Sequence, residues 1–472
     1  MTALSAAIAL ALLAPLVLIV LDARSGGWGE IQGVLFRSRS VFLLRHTVTL
    51  AALVAGLAAI IGTTAAWCTE RTAIPARRVW TVLLVAPVAI PDFVVGYAWH
   101  SIAPRMNGLL AATLVMTLGT YPLVYLPVAA ALRRADPAMQ DIAYSLGVGR
   151  LRTLIRVTLP LIRTALLGGC VLVVLTVLAE YGAFEILRYQ TFTTEIFTEF
   201  QFEPQAAGAL SIPLVLLGLL VLTGDALIPR RTVTQTAPRR IPRPERPRAL
   251  IAAPTLLALA ALVGLGVGVP IGTLVYWMAQ SQHTTLPAAA TLGSATWATL
   301  RYSALGAGVA VTLALPVAMM SFRRSSTPRI LLERSTYVTQ ALPGVVIALS
   351  LVFLATRYLY GVYQTSVLLI AAYAILHFPL ALVCVKSSVA QVPAQLTDVA
   401  RSLGRRPPAV FLRITLPLLA PGLLAGFCLV FLTAVTELTA TLVLAPIGVH
   451  TLATQFWAYQ SEVAYGARLM RS

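Results

Sequence analysis

The sequence predicts an all-α polytopic membrane protein, built from two parallel repeats of about six transmembrane helices each. Only 11% of its 472 residues are charged, whereas soluble domains carry about 25% charged residues. Apolar stretches long enough to cross a bilayer as helices recur along the whole chain. They are continuous and do not alternate with polar residues, which argues against membrane strands.

About 11 apolar spans can be placed, since each needs roughly 20 residues. They lie near residues 3–21, 41–67, 79–98, 109–132, 161–184, 208–228, 250–278, 295–320, 335–356, 366–385 and 418–444. If the N-terminus is cytoplasmic, most of the 35 Lys and Arg residues fall in loops on that side. The net charge of +18 then reflects orientation in the lipid bilayer, so we expect no nucleic-acid partner.

A segment rich in proline and arginine separates two related halves. Residues 229–248 read PRRTVTQTAPRRIPRPERPR, which can neither form a packed core nor enter the bilayer. We predict a first helix with its periplasmic loop, a first transmembrane unit, a cytoplasmic linker, a further helix with a periplasmic loop, and a second, C-terminally incomplete unit. Their bounds are 1–40, 41–228, 229–249, 250–294 and 295–472.

Two polar stretches repeat each other at an offset of 257 residues. Residues 137–160 read PAMQDIAYSLGVGRLRTLIRVTLP, and residues 394–417 read AQLTDVARSLGRRPPAVFLRITLP. Four further pairs extend the repeat, the last two at an offset of 252: Pro122 with Pro379, Glu180 with Glu437, Pro91 with Pro343, and Thr47 with Thr299. The halves therefore share one order of spans and one orientation, and we expect a substrate path between them.

Each polar stretch predicts a short amphipathic helix followed by a membrane span. The apolar positions at helical spacing are Met139, Ile142, Ala143 and Leu146, repeated as Leu396, Val399, Ala400 and Leu403. Gly147 and Gly404 are expected to end the helices, and Pro160 and Pro417 to open the next spans. The pair could lie on the lipid surface. The recurring small residues favour docking of a two-fold partner instead, because they let another protein approach closely.

The pattern A-x-x-x-G, followed by I/V-x-L-P, resembles the EAA loop of ABC importer permeases. The matching residues are Asp141, Ala143, Gly147, Leu159 and Pro160, and again Asp398, Ala400, Gly404, Leu416 and Pro417. The leading Glu-Ala-Ala of the family is degenerate here, with an aspartate in each copy. The resemblance implies that both helices couple to ABC ATPase subunits, two in all, on the cytoplasmic face. It also implies a periplasmic substrate-binding protein and a location in the bacterial inner membrane.

ATP hydrolysis is not expected from this chain. Its single lysine, Lys386, follows Val385, so no G-x-x-x-x-G-K-[ST] phosphate loop can form. We expect the chain to be a transport subunit without enzymatic activity and without a bound cofactor. ATP and magnesium would be used by the partner ATPase.

The substrate is less constrained than the family. Residues 180–201 (EYGAFEILRYQTFTTEIFTEFQ) and 437–457 (ELTATLVLAPIGVHTLATQFW) resemble the fused ferric-iron permeases most. Thiamine permeases are close relatives of that group, and polyamine, sulfate and molybdate permeases are more distant. The resemblance therefore implies a ferric-iron permease, with thiamine, a polyamine or an oxyanion as alternatives. An ion-coupled secondary transporter and a non-transporting membrane scaffold also stay open.

Three carboxylates are candidate residues of the substrate path. Glu180 and Glu437 occupy matching positions near the outer ends of two spans, and Asp92 lies in the turn AIPDF. A charge at membrane depth costs roughly 2.5–3.5 kcal/mol, so it usually has a function. Such an acidic lining would attract a cation, although solvated helix-end residues are an equal alternative. We predict no metal site.

Two features of the second half and of the cysteines complete the expectations. Cys68, Cys170, Cys384 and Cys428 form no C-x-x-C pair, and we read them as small core residues.

The second half ends at EVAYGARLMRS, where the counterpart of the span 208–228 would begin. We therefore expect the final helix of the second repeat to be missing.

Overall fold

A computed structural model describes residues 2–25, 27–135, 138–227, 249–280, 289–321 and 338–469. Helices joined by short turns make up these parts of the chain. All of the linker predicted at 229–249, except Ala249, lies outside the described residues.

The first half of the chain contributes twelve helices among the described residues. They are α1 (Thr2–Ser25), α2 (Trp28–Leu35), α3 (Ser38–Arg71), α4 (Arg77–Val85), α5 (Asp92–Ile102), α6 (Leu109–Arg134), α7 (Ala138–Ser145), α8 (Arg150–Thr153), α9 (Leu159–Ala179), α10 (Gly182–Ile186), α11 (Phe192–Phe202) and α12 (Pro204–Leu227).

The second half contributes ten more helices to the described parts. They are α13 (Ala249–Val263), α14 (Val269–Gln280), α15 (Ala289–Ser321), α16 (Gly344–Tyr358), α17 (Ser366–Val389), α18 (Ala394–Ser402), α19 (Pro407–Val410), α20 (Leu416–Val435), α21 (Thr439–Leu444) and α22 (Leu452–Leu469). The order of elements from α3 to α11 recurs from α15 to α22, although residues 322–337 lie outside the description.

Nine helical stretches of the described chain are long and apolar enough to cross a membrane. The span predicted at 79–98 is different, because it is two helical pieces, Arg77–Ala89 and Asp92–Ile102, bent by 91°. Pro91 causes the break: it lacks an N–H, and it forces Ile90 out of the helical region to φ −96° and ψ 118°. Continuous apolarity predicted a span here but did not predict its bend.

The corresponding span of the second half is short where it is described. The prediction at 335–356 begins outside the described residues, and α16 then covers 15 residues. At 1.5 Å per residue, α16 is about 22 Å long, less than the roughly 30 Å of the hydrocarbon core. Pro343 precedes α16 as Pro91 precedes α5, with φ −60° and −55° respectively, so one proline position starts both helices.

The chain forms two compact units, which we name after their longest helices. The α3 unit comprises Phe36–Glu195 and Leu216–His283. Its core is the bundle of α3, α6 and α9, and it contains the fully buried Tyr121 and Tyr125. Gly62 of α3 lets these helices approach closely, since a Cβ there would lie 2.9 Å from the carbonyl oxygen of Tyr121.

The α15 unit comprises Met1–Leu35, Ile196–Val215 and Thr284–Ser472. Its core is the matching bundle of α15, α17 and α20. The buried aromatic side chains here are Tyr373 and Phe378, both on α17. The hydroxyl of Tyr373 is satisfied by a 2.6 Å hydrogen bond with Thr441 of α21, as a buried phenol requires.

The first helix of each half packs in the unit dominated by the other half. α1 packs against α15 and α16, whereas α13 and α14 pack against α4 and α5. Gly266, in the turn between α13 and α14, lies against Pro87, where a Cβ would come within 3.3 Å of the proline ring. Each unit therefore combines segments from both halves of the sequence. The sequence-based segment bounds remain predictions.

Candidate docking helices and outer carboxylates

The two copies of the polar motif fold into short helices with the same face exposed. On α7 and directly after it, Met139, Ile142 and Leu146 are 52%, 54% and 76% exposed. Their counterparts 257 residues later, on α18 and directly after it, are Leu396, Val399 and Leu403, with 45%, 56% and 76% exposure. An apolar row presented in this way twice is a candidate binding surface. We call these rows the docking faces.

The small residues of the motif serve the chain itself. Ala143 and Ala400 are only 7% and 5% exposed, so their methyl groups point into the protein and not toward an approaching partner. Gly147 and Gly404 have φ of 75° and 77°, a left-handed conformation that suits glycine. The burial of the two alanines argues against the interpretation that they are small to admit a partner, whereas for the exposed Gly147 and Gly404 that interpretation stays a prediction. The exposed face is made by larger apolar side chains.

We call α7 and α18 the docking helices, and both end in the same capped turn. The N–H of Val148 donates to the carbonyl of Ala143, at 3.0 Å, and the N–H of Arg405 donates to the carbonyl of Ala400, at 3.1 Å. Each bond spans the left-handed glycine and closes the helix C-terminus. The turn thus fixes where Leu146 and Leu403 project, immediately before each glycine.

After the capped turn, a further short helix, α8 or α19, continues into the membrane span through a π-helical turn. The turns cover Leu154–Thr158 and Phe411–Thr415. Leu159 and Leu416 donate their N–H groups five residues back, and the next residue in each copy is the proline of the motif. A proline has no N–H and crowds the carbonyl four residues back, so a wider turn accommodates it. Pro160 and Pro417 are the second residues of α9 and α20, so they stand at the start of these helices as predicted. The apolar helical stretches themselves begin earlier, at Leu154 and Pro407.

Polar contacts hold α7 against the α3 bundle. The side-chain amide of Gln140 donates to the hydroxyl of Thr158, at 2.9 Å. A second set of contacts involves the carboxylate of Glu70, whose side chain is 1% exposed. It pairs with Arg77 and, at 2.7 Å, with Arg133. A buried carboxylate between two arginines holds the ends of α3 and α6 together, directly before α7.

The outer carboxylates start the short helices that follow the spans. Glu180 accepts a 2.8 Å hydrogen bond from the N–H of Ala183 on α10, and Glu437 accepts a 3.0 Å bond from the N–H of Ala440 on α21. A side-chain oxygen bound three residues ahead is the arrangement of a helix N-cap. Both residues are half-buried and end the preceding spans, so they do not lie within them.

Asp92 and Glu437 place a carboxylate at corresponding helix starts. Asp92 is the first residue of α5 and lies against Gly119 of α6. Its counterpart is Gly344, the first residue of α16, where a Cβ would lie 2.9 Å from Oε1 of Glu437. The missing carboxylate is thus supplied by another segment, and a negative charge suits a helix N-terminus. Sequence matching of Asp92 with Gly344 could not show this substitution.

Two buried threonines each accept a hydrogen bond from a distant segment of the chain, a role that the sequence did not reveal. Thr47 accepts a hydrogen bond from the N–H of Phe192, at 3.3 Å, and Thr299 accepts one from Leu452, at 2.8 Å. They join the long first helix of each bundle to the start of α11 and α22. The match between the two threonines was the signal available in the sequence.

Metal binding finds no support in the described parts of the chain. They contain no group of three or more His, Cys, Asp or Glu side chains that could hold a metal ion. The four cysteines are free thiols; Cys428 is exposed and the other three are half-buried, so the interpretation of all four as core residues was wrong.

The family follows from comparison with known proteins. Residues 58–234 and 306–469 match the model of the family described as "Binding-protein-dependent transport system inner membrane component". The chain belongs to this family. It is a multi-pass inner-membrane permease of an ABC importer, a non-enzymatic transport subunit.

Relatives of this permease differ in how much of the chain they match. It is 34% identical to "Fe(3+)-transport system permease protein FbpB 2" of Haemophilus influenzae, over 98% of this chain and 92% of that protein. It is 28% identical to "Sulfate transport system permease protein CysW" of Synechocystis, over 40% of this chain and 76% of that protein. "Molybdenum transport system permease protein ModB" of Escherichia coli is 29% identical over 25% of this chain and 58% of its own length.

Proposed function

We propose that this permease moves ferric iron, delivered by a periplasmic binding protein, into the cytoplasm. The observation that carries the proposal is the match to the Fe(3+) permease of Haemophilus influenzae along nearly the full length of both chains. The sulfate and molybdenum relatives match less than half of this chain. A relationship that includes both halves and their order is a stronger guide to cargo than one confined to a single half.

In the proposed mechanism, two ATPase subunits bind the docking faces of α7 and α18. ATP then drives them together, and the movement of the docking helices alternates access to the substrate path. The equal exposure of the two docking faces supports two copies of one partner. The continuous helical path from α8 into α9, and from α19 into α20, supports transmission of movement from the loop that carries each docking helix into the spans. The N-terminus is then cytoplasmic.

The outer carboxylates would attract the cation at the periplasmic end. Glu180, Glu437 and Asp92 supply oxygen atoms, which a hard cation such as Fe(III) prefers. Because Glu180 and Glu437 already accept backbone hydrogen bonds, we propose that they guide a passing ion and do not bind it tightly. Tight ligation would oppose release into the cytoplasm.

Import of an oxyanion is the second candidate. The sulfate and molybdenum relatives, at 25% to 30% identity, favour it. Ferric iron and a sulfate-like anion have opposite charges, so the acidic and basic residues of the path should distinguish them.

The test is uptake of radiolabelled ferric iron by cells that lack their own ferric permease. The cells express this chain with its cognate ATPase and binding protein, and parallel cultures receive labelled sulfate, molybdate or thiamine. ATP-dependent iron uptake that is lost with the double variant Leu146→Glu and Leu403→Glu supports cargo and coupling together. Uptake of another solute in place of iron, with the same dependence on the docking faces, would overturn the cargo and keep the importer.

A further inference from the structure

The α3 unit contains a cavity of about 420 Å³ at the end opposite α7. Its lining comes from the start of α3, the start of α6 and the turn before α11: Arg45, His46, Thr49, Gly108, Leu109, Arg188, Tyr189 and Gln190. α6 runs from this cavity to α7, a distance of about 39 Å for its 26 residues. We call this cavity the outer pocket.

The outer pocket is positively charged. It is lined by two arginines and a histidine, and no Asp or Glu is among its lining residues. Within the described chain, neither Arg45 nor Arg188 forms an ion pair. Nearby Arg39 is different, because it pairs with Glu195 at 2.6 Å. The pocket arginines therefore keep their donor groups available.

Arg188 occupies a backbone conformation that disfavours a side chain. Its φ is 54°, in the left-handed region. The corresponding position of the second half, aligned through Thr191 and Thr451, is Gly448 with φ 80°. Glycine adopts this conformation without steric cost, so an arginine here is retained against the preference of the backbone. A residue held in such a conformation at a cavity points to a function of its side chain.

The pocket wall is built to hold these groups in place. The hydroxyl of Tyr189 donates to the carbonyl of His46, at 3.0 Å, and the two rings stack with centroids 5.0 Å apart and planes within 4°. The N–H of Gly108 donates to the carbonyl of Leu187, at 2.9 Å, which fixes the residue before Arg188 to the start of α6. The N-terminus of α6 adds a partial positive charge to the two arginines.

We propose that the outer pocket binds a small tetrahedral oxyanion of the phosphate or sulfate class. Two guanidinium groups match the charge of a dianion, and their planar donor arrays suit oxyanions. The cavity has room for one such ion with water. The proposal goes beyond the cargo of the permease, because it concerns binding at one end of the α3 unit and holds whichever solute is transported.

The test is equilibrium binding of labelled inorganic phosphate, and separately of sulfate, to the full-length permease in lipid nanodiscs at low ionic strength. We expect about one ion per chain, and a loss of affinity of at least about tenfold in Arg188→Gly and in Arg45→Gln. Arg105→Gln is the matched control, because Arg105 is exposed in the same turn region yet does not line the pocket. It should change affinity by less than about twofold.

Unfolding cannot explain the expected loss. Arg188→Gly installs the residue that the second half uses in this conformation, so its unfolding temperature should equal or exceed that of the wild type. No saturable binding of either ion to the wild type would overturn the proposal, as would equal losses in Arg105→Gln and Arg188→Gly. Because binding is measured without transport, a failure here is separate from a failure of ferric-iron uptake.

Discussion

The two copies of the repeat agree at their docking helices and differ at their opposite ends. Leu146 and Leu403 have the same exposure, and both are followed by a left-handed glycine. At the other end, Arg188 stands where the second copy has Gly448, and Arg45 where it has Trp297. This difference is what the proposed docking would produce, because one partner that contacts both docking helices needs the same surface twice, whereas the opposite ends can differ.

The largest effect should come from placing charge on both docking faces. Leu146→Glu combined with Leu403→Glu should weaken binding of the ATPase subunit at least about 100-fold. Each leucine that the subunit buries on binding contributes about 1.5–3 kcal/mol. Binding of the purified ATPase to the permease in nanodiscs measures this, with Leu146→Met and Leu403→Met as the size-matched control. If the helices instead lay on lipid, ATPase binding would be unchanged and membrane insertion would suffer.

The next largest effect should come from the buried carboxylate of Glu70, which lies beside the first docking helix but has no part in the second. Glu70→Gln keeps the shape of the side chain but removes the charge that pairs with Arg77 and Arg133, which are 36% and 54% exposed, so it should cost about 2 kcal/mol of unfolding free energy. Thermal unfolding in detergent and the ATPase affinity of α7 both report it. Glu195→Gln, which affects a half-exposed pair with Arg39, is the control and should cost less than about 1 kcal/mol.

A smaller and equal effect is expected at the two left-handed glycines. Gly147→Ala and Gly404→Ala should each cost about 1 kcal/mol, because alanine is strained at positive φ. Gly168→Ala is the matched control: its surroundings are open, and its counterpart is already Ala425. Unfolding temperature and ATP-driven uptake should fall together for the first two variants. A clear inequality between them would show that the two docking helices are not equivalent.

An effect of similar size tests the match between the two bundles. Thr47→Val and Thr299→Val each remove the acceptor of one backbone N–H, that of Phe192 or Leu452, and should cost about 1 kcal/mol apiece. Thr296→Val is the control, because that exposed hydroxyl bonds only to its own helix among the described contacts. Equal losses in chemical unfolding would confirm that both threonines do the same work.

Much of the docking region could be predicted from the sequence, because its signals are local. Apolar residues at helical spacing and a terminal glycine predict a short capped helix, and α7 and α18 have that form. Because the motif occurs twice, each of these patterns is seen twice. The pattern did not show which apolar residues face the protein: it placed Ala143 on the same apolar face as Ile142, whereas the structure buries Ala143 and exposes Ile142.

Features that depend on distant contacts could not be predicted. The break at Pro91 is hidden by apolarity on both sides of the proline. The π-helical turns arise from how Leu159 and Leu416 donate their N–H groups, which hydropathy does not record. The outer pocket assembles Arg45 and Arg188 from segments far apart in the chain.

The packing of α1 also sets a schedule for biosynthesis. α1 leaves the ribosome well before its neighbours α15 and α16, which begin only at Ala289 and Gly344. At 5–20 residues per second, α1 must wait roughly 15–60 s in the bilayer before they emerge. A helix that is apolar on all sides can spend that time dissolved in lipid at little cost. In the nascent permease, α1 therefore stays in the lipid without its protein neighbours until α15 and α16 have been synthesised and can pack against it.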